Sequence, residues 1–152
     1  MTTLKAGDKA PAIQSKDQNG QEITLAQFKG SKVVLYFYPK DDTPTCTKEA
    51  CNFRDNYSKL KKKGYVVLGV SADTEKAHQK FIKKYDLPFP LIADVDHKVI
   101  EDYGVWGLKK FMGREYMGIS RTTFVIDEKG KIERVIDKVD SADAADQILT
   151  GA

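Results

Sequence analysis

The stretch VVLYFYPKDDTPTCTKEAC, Val33 to Cys51, decides how this chain is read. Its first six residues form an unbroken apolar run rich in β-branched and aromatic side chains, the pattern of a strand buried on both faces. Pro39 ends the run, because proline has no N–H to add to a strand ladder. A short polar loop with a second proline, Pro44, leads to Cys46 at the first turn of a helix. Cys46, Ala50, Phe53, Tyr57 and Leu60 then recur at spacings of four and three, which predicts one helix from about Cys46 to Lys63 with an apolar face. Gly64 supplies its C-cap.

On the N-terminal side, Ile13 to Ser15 and Glu22 to Thr24 flank Asp17-Gln18-Asn19-Gly20, and Asn-Gly between short strands predicts a β-hairpin. Leu25 to Phe28 reads as one helical turn closed by Gly30. On the C-terminal side, Tyr65 to Val70 is a second buried strand. Asp73 or Thr74 caps a helix through Tyr85, with Ala77, Phe81, Ile82 and Tyr85 inward. Leu91-Ile92-Ala93 is a short strand, and His97 to Tyr103 a short helix. Gly104 to Ser120 holds Trp106, Phe111, Met112, Tyr116 and Met117 without a clean period, and reads as a long packed loop. Thr122 to Ile126 and Ile132 to Ile136 make a hairpin around Asp127-Glu128-Lys129-Gly130. A last helix runs from about Ser141 to Leu149. Strands alternating with helices and then a closing hairpin and helix predict an α/β fold, with a central mixed sheet between helical layers and a β-hairpin at the N-terminal end. At 152 residues the whole chain, 1–152, reads as a single domain.

Composition narrows the function. A hydrophobic fraction of 41% with 31% charged residues suits an ordinary globular chain, and a net charge of +3 gives no ground for a nucleic-acid partner. The one dense basic patch, Lys59 with Lys61 to Lys63, closes a predicted helix, where cations suit the dipole. Met1 to Ala10 has no apolar signal-peptide region, and no stretch approaches the ~18 apolar residues of a membrane span. The expectation is a cytoplasmic chain, where a cysteine pair tends to be catalytic, sensing or metal-binding. Metal fits poorly, because Cys46 and Cys51 would have to recruit His78 and His97 at no finger-like spacing.

A thiol attacks as its thiolate, and a free cysteine, with a pKa of about 8.5, is mostly protonated at neutral pH. Unpaired N–H groups and the dipole at a helix N-terminus favour the anion, and the hydroxyl of Thr43 stands three residues before the thiol. Periodicity alone also allows an inert core thiol, because Cys46 lies on the apolar face. Cys51 is about 140° away around an ideal helix, with its Cα roughly 8.7 Å from that of Cys46. A disulfide needs about 4.4–6.8 Å between Cα atoms. Either the two never pair, or pairing melts the first helical turns.

Pro39-x3-Thr43-x2-Cys46 resembles the peroxidatic motif of the peroxiredoxins, and YPKDDTPTCTKEACNFRD is similar to their Q-type, or bacterioferritin-comigratory, subfamily. Gly7 to Pro11, Gly69-Val70-Ser71, Tyr103 to Trp106, Gly118 and Arg121 to Asp127 match the same subfamily, so the resemblance covers nearly the whole chain. Thr45 departs from it, standing where the family commonly has glycine. The resemblance implies a thioredoxin-like fold and a thiol-dependent peroxidase acting on hydrogen peroxide and organic hydroperoxides. It implies Cys46 as nucleophile, Thr43 orienting the peroxide, Arg121 beside the sulfur and Pro39 shielding the site. Cys51 would resolve the Cys46 sulfenic acid as an intramolecular disulfide, recycled by thioredoxin or, less often, glutaredoxin. No metal, flavin or haem is implied, and relatives are frequently monomers. Two other readings of the residues stay open. A thiol–disulfide oxidoreductase would keep the fold but wants a C-x-x-C spacing, and a redox sensor or holdase would use the cysteine pair without turnover.

Overall fold

The computed structural model describes residues 2–150. Its central sheet has five strands in the order β5-β4-β3-β8-β9. The middle strand is β3 (Lys32–Phe37), the apolar run itself, and Val33 to Tyr38 are all buried. It pairs in parallel with β4 (Tyr65–Ser71), which pairs in parallel with β5 (Leu91–Ala93). On its other side β3 meets β8 (Thr122–Ile126) antiparallel, and β8 meets β9 (Ile132–Ile136) antiparallel. The sheet is therefore mixed, as expected.

Alternation along β3 divides the core. Val33, Leu35 and Phe37 pack on one face with Ile13, Ile100, Tyr103 and Phe124, whereas Val34, Tyr36 and Tyr38 pack on the other with Cys46, Phe53, Phe81 and Ile148. The second face is covered by α1 (Pro44–Asp55), α3 (Glu75–Tyr85) and α5 (Ala144–Leu149). The first takes α4 (Lys98–Asp102) and the N-terminal hairpin of β1 (Gln14–Lys16) and β2 (Glu22–Thr24). Gly69 in β4 is glycine for lack of room: a Cβ there would lie 2.7 Å from Leu91 and 3.0 Å from the Tyr36 ring. Burying this much apolar side chain on both faces of one strand is the main stabilisation, at about 25 cal/mol for each Å² removed from water.

Two expectations are corrected. The helix predicted from Cys46 to Lys63 is two helices, α1 and α2 (Tyr57–Lys62), divided at Asn56, whose φ and ψ are −109° and 8°. The Asn56 side chain donates to the Asn52 carbonyl at 2.9 Å, a local bond that competes with continued helix. The expected loop from Gly104 to Ser120 is a hairpin of β6 (Trp106–Phe111) and β7 (Arg114–Ile119), and most of it is exposed rather than packed. Its turn carries Met112-Gly113 instead of Asn-Gly, so the usual sequence signal for a hairpin is missing. In α3, Thr74 is the N-cap and accepts from the Ala77 N–H at 3.2 Å. Of the four residues expected inward, Phe81 is buried and Ile82 and Tyr85 pack half-buried against the same core, while His78 is a further buried residue.

Candidate active site

The site forms where β3 ends. Tyr38 and Pro39 run out past the edge of the sheet, and Pro44, the first residue of α1, turns the chain back over the sheet face. A proline suits the first helical turn because its missing N–H would have been unpaired there anyway. The helix so begins two residues earlier than expected, and Cys46 lies within its first turn, where backbone N–H groups are free of intrahelical partners. Thr43 is the N-cap residue, but its hydroxyl makes no cap bond. It donates instead to the Lys40 carbonyl at 3.0 Å, which leaves the oxygen able to accept.

Arg121 arrives from the neighbouring strand, on the residue before β8, whose Thr122 pairs with Phe37 of β3. Its guanidinium divides between two partners. Nη2 donates to the Cys46 sulfur at 3.1 Å, and Nη1 to Glu49 Oε1 at 2.7 Å. Cys46 is 2% exposed and Glu49 is fully buried. A guanidinium stays charged at any ordinary pH. Burial alone would lower the pKa of Arg121, but the Glu49 carboxylate and the Cys46 sulfur raise it on balance. Burial pushes Glu49 the other way, up to about 7, even though Arg121 pulls it down. Glu49 Oε2 and the Tyr36 hydroxyl are both buried without a hydrogen-bond partner.

The loop before the helix is pinned by a second buried cluster. Asp41 takes a hydrogen bond from the Tyr38 hydroxyl at 2.6 Å, faces His78 Nδ1 at 2.7 Å, and donates its backbone N–H to Asp73 at 2.8 Å. The other His78 nitrogen, Nε2, lies 2.9 Å from the Ile92 carbonyl, which can only accept. Nε2 therefore carries a proton. Asp42, in the left-handed region at φ 57°, bonds Lys84 and Tyr85 at 2.8 Å each. Asp41, Asp73 and His78 have the composition of a metal site. Asp41 and His78 spend their side-chain atoms on each other and on Tyr38 and Ile92, and one Asp73 oxygen takes the Ser71 hydroxyl and the Asp41 N–H, so the cluster reads as a clamp.

The structure therefore brings Cys46 and Arg121 into contact, with Thr43 at the cap of the same helix and Pro39 at the entrance of the same loop. Cys51 is elsewhere. It sits half-buried in the wound part of α1, and both thiols are free. Sequence reasoning missed Glu49, Asp41 and His78. Glu49 had a visible signal, since it falls on the buried stripe of Cys46, Ala50 and Phe53, where a carboxylate needs a partner. No helix among the described residues is long and apolar enough to cross a membrane.

Comparison with known proteins identifies the family. Residues 6–135 match the AhpC/TSA family. The chain is 54% identical to a putative peroxiredoxin Bcp of Coxiella burnetii, over 90% of this chain and 91% of that one. It is 48% identical to peroxiredoxin Bcp of Escherichia coli K12, over 98% of this chain and 96% of that one. Among solved structures, a cysteine-to-serine mutant of peroxiredoxin Q from Xanthomonas campestris superposes with a TM-score of 0.88 at 34% identity, covering 97% of each chain. The chain belongs to the AhpC/TSA family, as a peroxiredoxin of the Q type. The fold is accordingly thioredoxin-like, and the activity that goes with this membership is thiol-dependent peroxide reduction.

Proposed function

We propose that Cys46 is the nucleophile of that reaction, and that the guanidinium of Arg121, 3.1 Å from its sulfur, is the group that makes it one. This single contact carries the assignment, because a fixed cation favours negative charge both on the sulfur and on the oxygens as the O–O bond breaks. The thiolate attacks the terminal oxygen of hydrogen peroxide or an organic hydroperoxide. The O–O bond breaks, the attacked oxygen stays on sulfur as the Cys46 sulfenic acid, and the other oxygen leaves with a proton as water or alcohol. Thr43, whose hydroxyl proton is engaged by Lys40, accepts the peroxide O–H rather than donating to the sulfur. Pro39 flanks the entrance and limits water.

Cys51 then condenses with the sulfenic acid, expelling water and forming the intramolecular disulfide. That step requires the first turns of α1 to unwind, since both thiols are free in an intact helix. Past Cys51 the helix is held to the rest of the fold by its own bonds. Asn52 bonds the Ala142 carbonyl and the Ala145 N–H at 2.7 and 2.8 Å, and Arg54 bonds the Tyr85 carbonyl at 2.8 Å. Unwinding of residues 44–51 leaves those bonds intact and releases Cys46 and Glu49 from Arg121. A dithiol reductant, thioredoxin before glutaredoxin, reopens the disulfide by exchange. The protein works as a monomer in the cytoplasm.

The test is a thioredoxin-coupled peroxide assay on two variants. Cys46→Ser should lose turnover by three orders of magnitude or more, on the order of other nucleophile deletions. Cys51→Ser should still form one equivalent of sulfenic acid but stall in recycling. Residual turnover in the first variant, or normal recycling in the second, would remove the residue from its role.

A further inference from the structure

The β6–β7 ribbon leaves the body of the protein beside the site. Ile119, at its base, is two residues from Arg121, and Lys109 feels the charge of both Arg121 and Cys46. Beyond that base the ribbon exposes apolar side chains on every side. Leu108 and Met117 face each other on one surface, 56% and 53% exposed. Tyr116 stands on the opposite surface across from Lys109, and Phe111, on that same surface, is 66% exposed next to the turn. Met112, at the tip, is 87% exposed.

Folding does not ask for this arrangement. Met112 and Gly113 have φ of 51° and 79°, the two positive values of a type I′ turn. Asparagine or aspartate is preferred at the first of these positions, and an L-residue without such a side chain is strained there. A methionine so placed, and left in water, serves something outside the chain. Behind the tip lie Arg114, opposite Phe111, and Lys110, paired with Glu115 at 3.5 Å. Two cations, Lys110 and Arg114, stand there against the one carboxylate of Glu115, while Lys109 turns its ammonium back to the Ile119 carbonyl at 2.8 Å.

We propose that this ribbon docks the protein on an anionic lipid bilayer, with Phe111 and Met112 entering the acyl region and Lys110 and Arg114 at the headgroups. An apolar tip backed by cations, with a tyrosine one step behind them, is the pattern of an interfacial anchor. The distribution favours a fluid phase over a protein partner. Apolar groups on both surfaces and the tip of a two-stranded ribbon are wetted together by lipid, whereas a second protein copy would need a slot to receive them. Docking stands on this surface alone. Its consequence, that Cys46 meets hydroperoxides still carried in membrane lipids, rests on the peroxidase reading above.

The experiment is co-sedimentation of the full-length reduced protein with vesicles of equimolar phosphatidylglycerol and phosphatidylcholine, against vesicles of phosphatidylcholine alone. The anionic vesicles should retain the protein, and raising salt from about 0.1 to about 0.5 M should weaken retention. The double variant Phe111→Ser, Met112→Asn keeps a favoured Asn-Gly turn, so it should fold and turn over hydrogen peroxide normally while losing about tenfold or more in partitioning. Cys46→Ser should bind as the parent does, so docking and catalysis fail separately. No retention of the parent, equal retention of the double variant, or a tip-dependent dimer without vesicle binding would each overturn the proposal.

Discussion

Two buried charge clusters flank the Cys46 segment, and they are built in opposite ways. In the Asp41–His78 cluster both imidazole nitrogens and both Asp41 carboxylate oxygens have partners at 2.6 to 2.9 Å. In the Glu49–Arg121 cluster one carboxylate oxygen is orphaned, and the hydroxyl of Tyr36, buried on the same side of the sheet, is orphaned too. A fully connected buried network holds one geometry firmly, while an incomplete one keeps a cost that its surroundings can still relieve. The first cluster fixes where the loop and helix start. The second leaves the guanidinium divided between a carboxylate and a sulfur, so that the balance can shift as the sulfur changes charge.

Breaking the complete cluster should have the largest effect. Asp41→Ala leaves His78 buried without its partner and should cost on the order of 3–5 kcal/mol of stability, read from urea denaturation. A loss under about 1 kcal/mol would mean that the clamp is decorative. Arg121→Ala acts on the incomplete cluster and should lower kcat/KM for peroxide by about 10²–10³, with a smaller change in Tm. Arg121→Lys should recover only part of this, because an ammonium cannot serve two partners through one planar fork.

The smallest effect sharpens the contrast through pH. The carboxyl of Glu49 is raised from 4.5 to about 7 by burial. Its proton is held more tightly in the folded chain than in the unfolded one. The stability it contributes is complete below pH 4.5 and is lost as pH rises through about 7. At about 1.4 kcal/mol for each tenfold, the span is on the order of 3 kcal/mol. Glu49→Gln should flatten the stability profile between pH 5 and 8, measured by denaturant titration at each pH. An unchanged slope would place the burden of that window on other groups.

Much of this could be read beforehand where the signal is local. The apolar run of β3, the proline-bounded loop, the Asn-Gly hairpin and the Thr74 cap each depend on neighbours within a few residues, and each is found. The division at Asn56 was missed because a local distortion, where the Asn56 side chain as well as its N–H bonds the Asn52 carbonyl, leaves no mark on a continuous apolar stripe. The β6–β7 ribbon was missed for another reason. Its apolar residues are exposed, so the rule that links apolar spacing to burial misleads there.

Residue order alone determined that a thiol would stand at the start of a helix behind a central strand, because strand, breaker and helix follow one another along the chain. It also set the two thiols on opposite sides of that helix. Only the tertiary structure decided that Arg121, 75 residues away, would reach the sulfur, that Glu49 would share it, and that Asp41 would meet His78. Those contacts arise from the order in which strands pair in the sheet, and pairing across such distances leaves no periodic trace in the sequence.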